Sequence, residues 1–163
     1  MTIDTPFARH VGRVRPEWID YNGHMNVAYY VLAFDEATDT FYNWLGIGKD
    51  YKDRTTFSTF TLEGHITYDR EILEGHPFRV HTYLLNFDRK RIHYFHEMYH
   101  AEEGFLASTN ELISIHIDMS IRRSAPIPDE LLARLEEVRA AHATLPVPAN
   151  VGRVIGLDRR RSK

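Results

Sequence analysis

Residues 18–30 read Trp18-Ile19-Asp20-Tyr21-Asn22-Gly23-His24-Met25-Asn26-Val27-Ala28-Tyr29-Tyr30, and a long apolar run follows them. Asn22-Gly23 can break the chain sharply, because both residue types tolerate a left-handed backbone. A helical pattern begins just behind the break. Val27, Val31, Phe34, Ala37, Phe41 and Leu45 recur at spacings of four, three, three, four and four, the period of one buried helix face. Asp35, Glu36, Asp39 and Asn43 fall mostly on the opposite side. Tyr30, Ala33 and Trp44 widen the stripe, so the helix is expected to be covered on more than one side. A carboxylate, Asp20, thus stands in a turn before a helix N-terminus, whose first N–H groups have no partner within the helix.

Upstream, Ala8, Val11 and Val14 among Arg9, His10, Arg13 and Arg15 predict a short strand over 8–15, ended by Pro16. The helix is expected over 25–45, with Gly46-Ile47-Gly48 as its stop. Residues 49–54 read as a polar loop. Strand patterns then dominate. Phe60, Leu62, Ile66 and Tyr68 alternate with polar residues over 59–69, and Gly64 marks a bulge or a close backbone approach. Further strands are expected over 78–87, 91–101 and 105–119, separated by turns at Leu73–Pro77, Asn86–Lys90 and Glu102–Gly104. In the last strand Ala107, Thr109, Ile113, Ile115, Ile117 and Met119 share one face; Ser108, Asn110, Ser114, His116 and Asp118 share the other. After Ser124–Pro128, residues 129–142 repeat Leu131, Leu132, Leu135 and Val138 at helical spacing. One strand, one long helix, four hairpin-connected strands and a C-terminal helix give an α+β chain with one antiparallel sheet.

The chain has 163 residues and 43% hydrophobic content, enough for one core. It reads as a single domain over 1–143, helix included, with a loosely held tail over 144–163 that contains Arg159-Arg160-Arg161. A net charge of −3 supplies no basic field for nucleic acid. Without cysteine there is no disulfide, thiolate metal site or thiol nucleophile. The first residues lack a basic and apolar leader, and no apolar run nears the ~20 residues of a membrane span. A soluble cytoplasmic protein is expected.

The stretch Asp20-Tyr21-Asn22-Gly23-His24-Met25-Asn26-Val27-Ala28-Tyr29-Tyr30 resembles the D-x-x-G-H-x-N-N-x-x-Y signature of hotdog-fold acyl-CoA thioesterases of the 4-hydroxybenzoyl-CoA thioesterase type. Asp20, Gly23, His24, Asn26 and Tyr30 match it. Trp18 stands where many relatives carry a further Asp, and Val27 replaces the second Asn. The resemblance runs through about residues 8–119. Within the family, Trp18–Asn26 and Phe95-His96-Glu97-Met98-Tyr99-His100 look most like betainyl-CoA thioesterases of carnitine breakdown. The resemblance implies a hotdog fold, an antiparallel sheet wrapped around one long central helix, here with an added C-terminal helix. It implies an acyl-CoA substrate, Asp20 as catalytic carboxylate, no metal or organic cofactor, and an active site shared between the subunits of a homodimer or homotetramer. Long strands such as 105–119 also leave an edge to be managed.

Taken alone, an Asp before Asn-Gly is most simply a cap of the turn or helix. In the family pattern Asp20 is the base for water or the nucleophile, with N–H groups around His24–Ala28 polarising the thioester carbonyl. Spacing does not separate the two roles. Substrate contacts are expected from Trp18, Tyr21, Gly23, His24, Asn26, Val27 and Tyr30, several of which also have structural readings as turn, cap or core residues. Glu63 and His65 point the same way on a strand, towards a cleft from a partner subunit or simply towards solvent. A quaternary ammonium on the acyl group would favour aromatic faces and carboxylates; Trp18, Tyr21, Tyr29 and Tyr30, with Asp35 and Asp39 beyond, are the groups at hand. Arg89, Lys90, Arg91, Arg122 and Arg123 are available to CoA phosphates or are plain surface.

One rival comes from His96-Glu97-Met98-Tyr99-His100, which matches the zinc motif H-E-x-x-H. That chemistry needs a helix here. In a strand the two histidines share a face but stand about 13 Å apart, too far for one ion. A hotdog-like binding protein without turnover is the third class.

Overall fold

The computed structural model describes residues 3–157; the Arg159–Arg161 run lies outside the described residues. Strand β1 (Phe7–Arg13) leads through a single 3-10 turn, Pro16–Trp18, to the long helix α1 (Val27–Leu45) and a short helix α2 (Lys49–Arg54). Strands β2 (Phe57–Tyr68), β3 (Pro77–Phe87), β4 (Arg91–His100) and β5 (Leu106–Asp118) follow, then a two-residue strand β6 (Arg123–Ser124) and helix α3 (Asp129–His142). The sheet order is β1-β3-β4-β5-β2, with β6 added to β5, and every pair is antiparallel. The sheet curls around α1, which is the hotdog architecture; α3 is the added C-terminal helix. Among the described residues no helix is long and apolar enough to cross a membrane.

Helix α1 starts where the Asn26 side chain accepts the Ala28 N–H at 2.9 Å and stops at Gly46, whose φ of 91° is left-handed. Its buried face is Tyr30, Ala33, Phe34, Ala37, Thr38, Phe41, Tyr42 and Leu45. This corrects the expected stripe at one end, for Val27 and Val31 are half exposed. The covered face turns towards Tyr30 and Ala33 because the sheet meets the helix there, leaving Val27, Val31 and Leu32 outward. Two core clusters result. One packs the second half of α1 against Phe7, Leu84, Tyr94 and α3 through Leu135 and Val138. The other packs the first half against Trp18, Met25, Ile72, Phe78 and Met98.

Two expectations change, and the sequence leaves a third point open. Residues 49–54 form α2 rather than a loop, anchored by buried Tyr51, whose hydroxyl meets His116 Nε2 at 3.0 Å. Strand β5 is internal, bonded to both β4 and β2, so the open edges belong to β2 and β1. The faces of β5 alternate, yet Ser114 and His116 of the polar one are buried. Ser114 meets the Tyr94 hydroxyl at 3.1 Å, and His116 pairs with Tyr51 and with the Ala125 carbonyl. Ser114 and His116 can be buried there because each has a partner.

The tail returns to the outer face of the sheet. Asn150 Nδ2 reaches the Thr67 hydroxyl at 3.4 Å, and the Gly152 N–H donates to Glu111 at 2.6 Å. Val154, Ile155 and Leu157 beyond it are exposed.

Candidate active site

The loop that carries Asp20 is pinned by its backbone. Asp20 N–H donates to the His24 carbonyl at 3.1 Å, and Gly23 N–H returns to the Asp20 carbonyl at 3.0 Å. Gly23 holds φ at 81°, a conformation in which a side chain at this position would be strained. Ile19 and Met25 form an isolated bridge, Asn26 N–H donates to the Trp18 carbonyl at 2.9 Å, and Met25 N–H to the Ile72 carbonyl at 3.0 Å. The carboxylate of Asp20 is held at both oxygens: Oδ1 accepts the Asn22 N–H at 2.8 Å, and Oδ2 faces Asn26 Nδ2 at 3.4 Å. Asn26 therefore caps α1 through its oxygen and reaches Asp20 through its nitrogen.

These bonds also sort the N–H groups of the loop. Those of Met25, Asn26 and Ala28 are engaged. The N–H groups of His24 and Val27 have no acceptor among the described residues. Val27 is the first helical residue, so its N–H points out of the helix at the positive end of the dipole.

Beside this loop lies a cavity of about 200 Å³, walled by His24, Met25, Val27 and Tyr30 on one side and by residues 68–71, from the end of β2 and the loop after it, on the other. The Tyr30 hydroxyl accepts the Ile72 N–H at 3.2 Å, and its ring meets that of Tyr68 edge to face at 5.4 Å. Burial raises the pKa of both phenols, with Glu71 adding to the effect at Tyr30, so both are neutral at neutral pH.

The residues expected to touch substrate separate into groups. Gly23, His24, Asn26, Val27 and Tyr30 lie with Asp20 around the loop and cavity. Trp18 is only 2% exposed and stacks on Tyr29 at 5.6 Å, with the Arg15 guanidinium 5.0 Å from its ring. Tyr21 is 98% exposed at the tip of the turn. The aromatic cluster expected around Asp20 is thus dispersed, and of its rings only Tyr30 walls this cavity. Tyr68 supplies the second ring; the signal for it in the sequence was its alternation with Ile66, beside Asp69. Glu63 and His65 lie elsewhere, in a cavity of about 440 Å³ on the outer sheet face with His93, Glu111 and tail residues 152–155. Arg89, Lys90, Arg91 and Arg123 sit at the end of the sheet remote from Asp20. Arg91 pairs with Asp88 at 2.6 Å, and Arg89 approaches Asp129 at 3.7 Å.

The H-E-x-x-H segment is part of β4, which corrects the zinc reading. His96 sits between the Thr38 and Thr82 hydroxyls, both at 2.9 Å, and stacks on Phe34. Burial pushes its pKa down to about 3, so it is a neutral core residue. Glu97 accepts the hydroxyls of Tyr83 and Tyr99, both at 2.9 Å. His100 gathers with His76 and Glu103, their donor atoms within 4.8 Å of one another. Even so, His100 Nδ1 accepts the N–H groups of Glu102 and Glu103 at 3.3 and 3.0 Å. That fixes the proton on Nε2, which donates to His76 Nδ1 at 3.0 Å. His100 has no lone pair left for a metal in this arrangement.

Comparison with known proteins agrees with this fold. The thioesterase-like superfamily model matches residues 14–135. The chain is 44% identical over 156 residues to a betainyl-CoA thioesterase of Pseudomonas aeruginosa, covering 96% of this chain and 94% of that one. It is 33% identical to an L-carnitine dehydrogenase/betainyl-CoA thioesterase of Rhizobium meliloti, of which it spans 29%. A hypothetical protein of Staphylococcus aureus, solved in complex with CoA, superposes with a TM-score of 0.87 at 31% identity, over 96% of this chain and 98% of that one. Sequence match, sheet order and central helix converge: the chain belongs to the thioesterase-like superfamily and is a hotdog-fold thioesterase.

Proposed function

We propose that this thioesterase hydrolyses a short acyl-CoA, betainyl-CoA in particular, to the free acid and CoA, with Asp20 as the reacting carboxylate. The observation that carries the reading is a carboxylate and the unengaged Val27 N–H of a helix N-terminus presented by one pinned loop. The thioester carbonyl would lie against the Val27 N–H, with the His24 N–H beside it, where negative charge developing on oxygen is stabilised. Asp20 either takes a proton from the attacking water or attacks the carbonyl carbon itself. In both routes the carbon–sulfur bond breaks, a carbon–oxygen bond from water completes the acid, and one water proton ends on the CoA sulfur. The small cavity beside the loop suits a short acyl group. The betainyl choice rests on the likeness to the Pseudomonas aeruginosa enzyme and would place the chain in carnitine breakdown, in the cytoplasm. A thiol-release screen of betainyl-, acetyl-, medium-chain and aromatic acyl-CoAs tests it, with betainyl-CoA expected to turn over fastest. Equal turnover of the neutral straight-chain substrates would remove the betainyl choice and leave the thioesterase. Release from none of them would instead favour a binding protein.

We further propose that two copies pair along β2. This twelve-residue strand is an open edge, and such an edge invites a second strand. Phe60, Leu62 and Tyr68 on β2, with Val27, Val31 and Leu32 on α1, are exposed apolar residues at that side of the protomer. Antiparallel pairing would bring the basic end of the second copy's sheet towards the Asp20 loop, where CoA phosphates would need it. It would also place Glu63 and His65 near the middle of the joint. Light scattering at micromolar concentration should give a multiple of the 19.1 kDa chain mass. A fully active particle of single-chain mass would rule the pairing out.

A further inference from the structure

We propose that Tyr68, Asp69 and Glu71, with Tyr30, make the cavity beside the Asp20 loop a selector for a permanent cation on the acyl group, a quaternary ammonium above all. The proposal rests on the acyl-CoA thioesterase reading and assigns its specificity to particular side chains.

The charges on the cavity rim are unbalanced. Three consecutive ionisable residues, Asp69, Arg70 and Glu71, reach it. The guanidinium of Arg70 is drawn aside: it lies 3.8 Å from the centre of the Phe105 ring and 3.7 Å from the Glu103 carboxylate. Asp69 takes a bond from the Thr67 hydroxyl at 3.0 Å, which leaves its charge in place. Glu71 makes no ion pair among the described residues, and it stands close enough to Tyr30 to act on that phenol. Glu71 is therefore a carboxylate without an ion pair at a cavity whose local cation is already occupied, and the Asp69 carboxylate, bonded to Thr67, stands beside it towards the outer sheet face.

The rings complete the selection. A quaternary ammonium has no N–H to donate, so hydrogen-bond acceptors cannot recognise it by direction. It can be held by ring faces and by net negative potential. The Tyr30 hydroxyl is tied to the Ile72 N–H and that of Tyr68 lies 3.5 Å from the Val27 carbonyl, so the edge-to-face pair is held in orientation. Tyr68 also touches the helix start that would hold the thioester carbonyl. A group one carbon away from that carbonyl, as the ammonium of a betainyl group is, falls in this cavity. The negative rim is unsuited to the phosphates of CoA, which must leave in another direction.

The test compares betainyl-CoA with tert-butylacetyl-CoA, which has the same shape with carbon in place of charged nitrogen. The readout is the ratio of their kcat/KM values at low ionic strength. The wild type should favour betainyl-CoA by about tenfold or more, about 1.4 kcal/mol. The double variant Asp69→Asn, Glu71→Gln keeps shape and should reduce that ratio about tenfold, and Glu71→Lys should reduce it further. Tyr68→Leu should lower the ratio, whereas Tyr68→Phe, which keeps the ring, should preserve it. Ratios unchanged in the charge variants would overturn the assignment of these residues even while the wild type prefers betainyl-CoA. A wild type without preference would overturn both this selector and the betainyl reading, and turnover of the neutral substrate would still mark a thioesterase.

Discussion

Replacing Asp20 with Asn lowers kcat for acyl-CoA hydrolysis by roughly 10²–10⁴-fold, the usual worth of a positioned acid–base group, while the protein stays folded. The expectation follows from what Asn preserves. Its oxygen can still accept the Asn22 N–H, the 2.8 Å bond that closes the turn, and the backbone bonds from Asp20 to His24 and Gly23 do not involve the side chain. What it removes is the charge and the second acceptor oxygen, which faces Asn26 at 3.4 Å. Thermal melting and circular dichroism would verify the fold, and thiol release would give the rate. A normally folded variant with near-wild-type turnover would show that the chemistry lies elsewhere. In the wild type, label recovered on Asp20 after one turnover in heavy-oxygen water would identify the carboxylate as the nucleophile.

Val27→Pro should cost about 10²–10³ in kcat, the loss seen when one oxyanion donor is deleted, with little change in stability. Proline is tolerated at the first helical position, where its missing N–H leaves no intrahelical bond unmade. The preceding residue, Asn26, already has φ −66° and ψ 145°, the extended backbone that proline demands of its neighbour. The Val27 side chain is half exposed, so its loss should empty no cavity in the core. Val27→Ala is the control, since it trims the same side chain and keeps the N–H. Activity of the proline variant within about tenfold of the alanine variant, with the helix intact, would remove Val27 from the oxyanion site.

The sequence revealed elements more readily than neighbours. The long helix, the four later strands and the helix over residues 129–142 carry enough apolar periodicity to be located to within a residue or two. Helix α2 was missed because six residues with one apolar member, Tyr51, have no period to detect. The identity of the edge strand was also hidden, because strand order depends on crossovers that no local pattern records. The apolar stripe of β5 was legible as a stripe, but its side was not: the face turned to the core carries Ser114 and His116, whose burial depends on partners distant in the chain. At the site, the Asp20 turn and the Asn26 cap were visible in the order of residues. The place of Tyr68 on a strand was visible too, but its part in the site was not, because it meets Tyr30 across 38 residues through the curl of the sheet. Trp18 and Tyr21, close to Asp20 in sequence, diverge into the core and into solvent.

The loop that holds Asp20 is fixed almost wholly by main-chain bonds, and it joins the 68–72 segment through the backbone contact of Met25 with the Ile72 carbonyl. Main-chain bonds do not depend on which side chains surround them. With Asp20 as the proposed reacting group and residues 68–71 as the proposed selector, reaction and choice of substrate would be written on different stretches of the polypeptide, and the second could drift while the first stays in register. A lineage built this way can acquire a new acyl group through a few changes around residues 68–71, without first losing its hydrolytic apparatus.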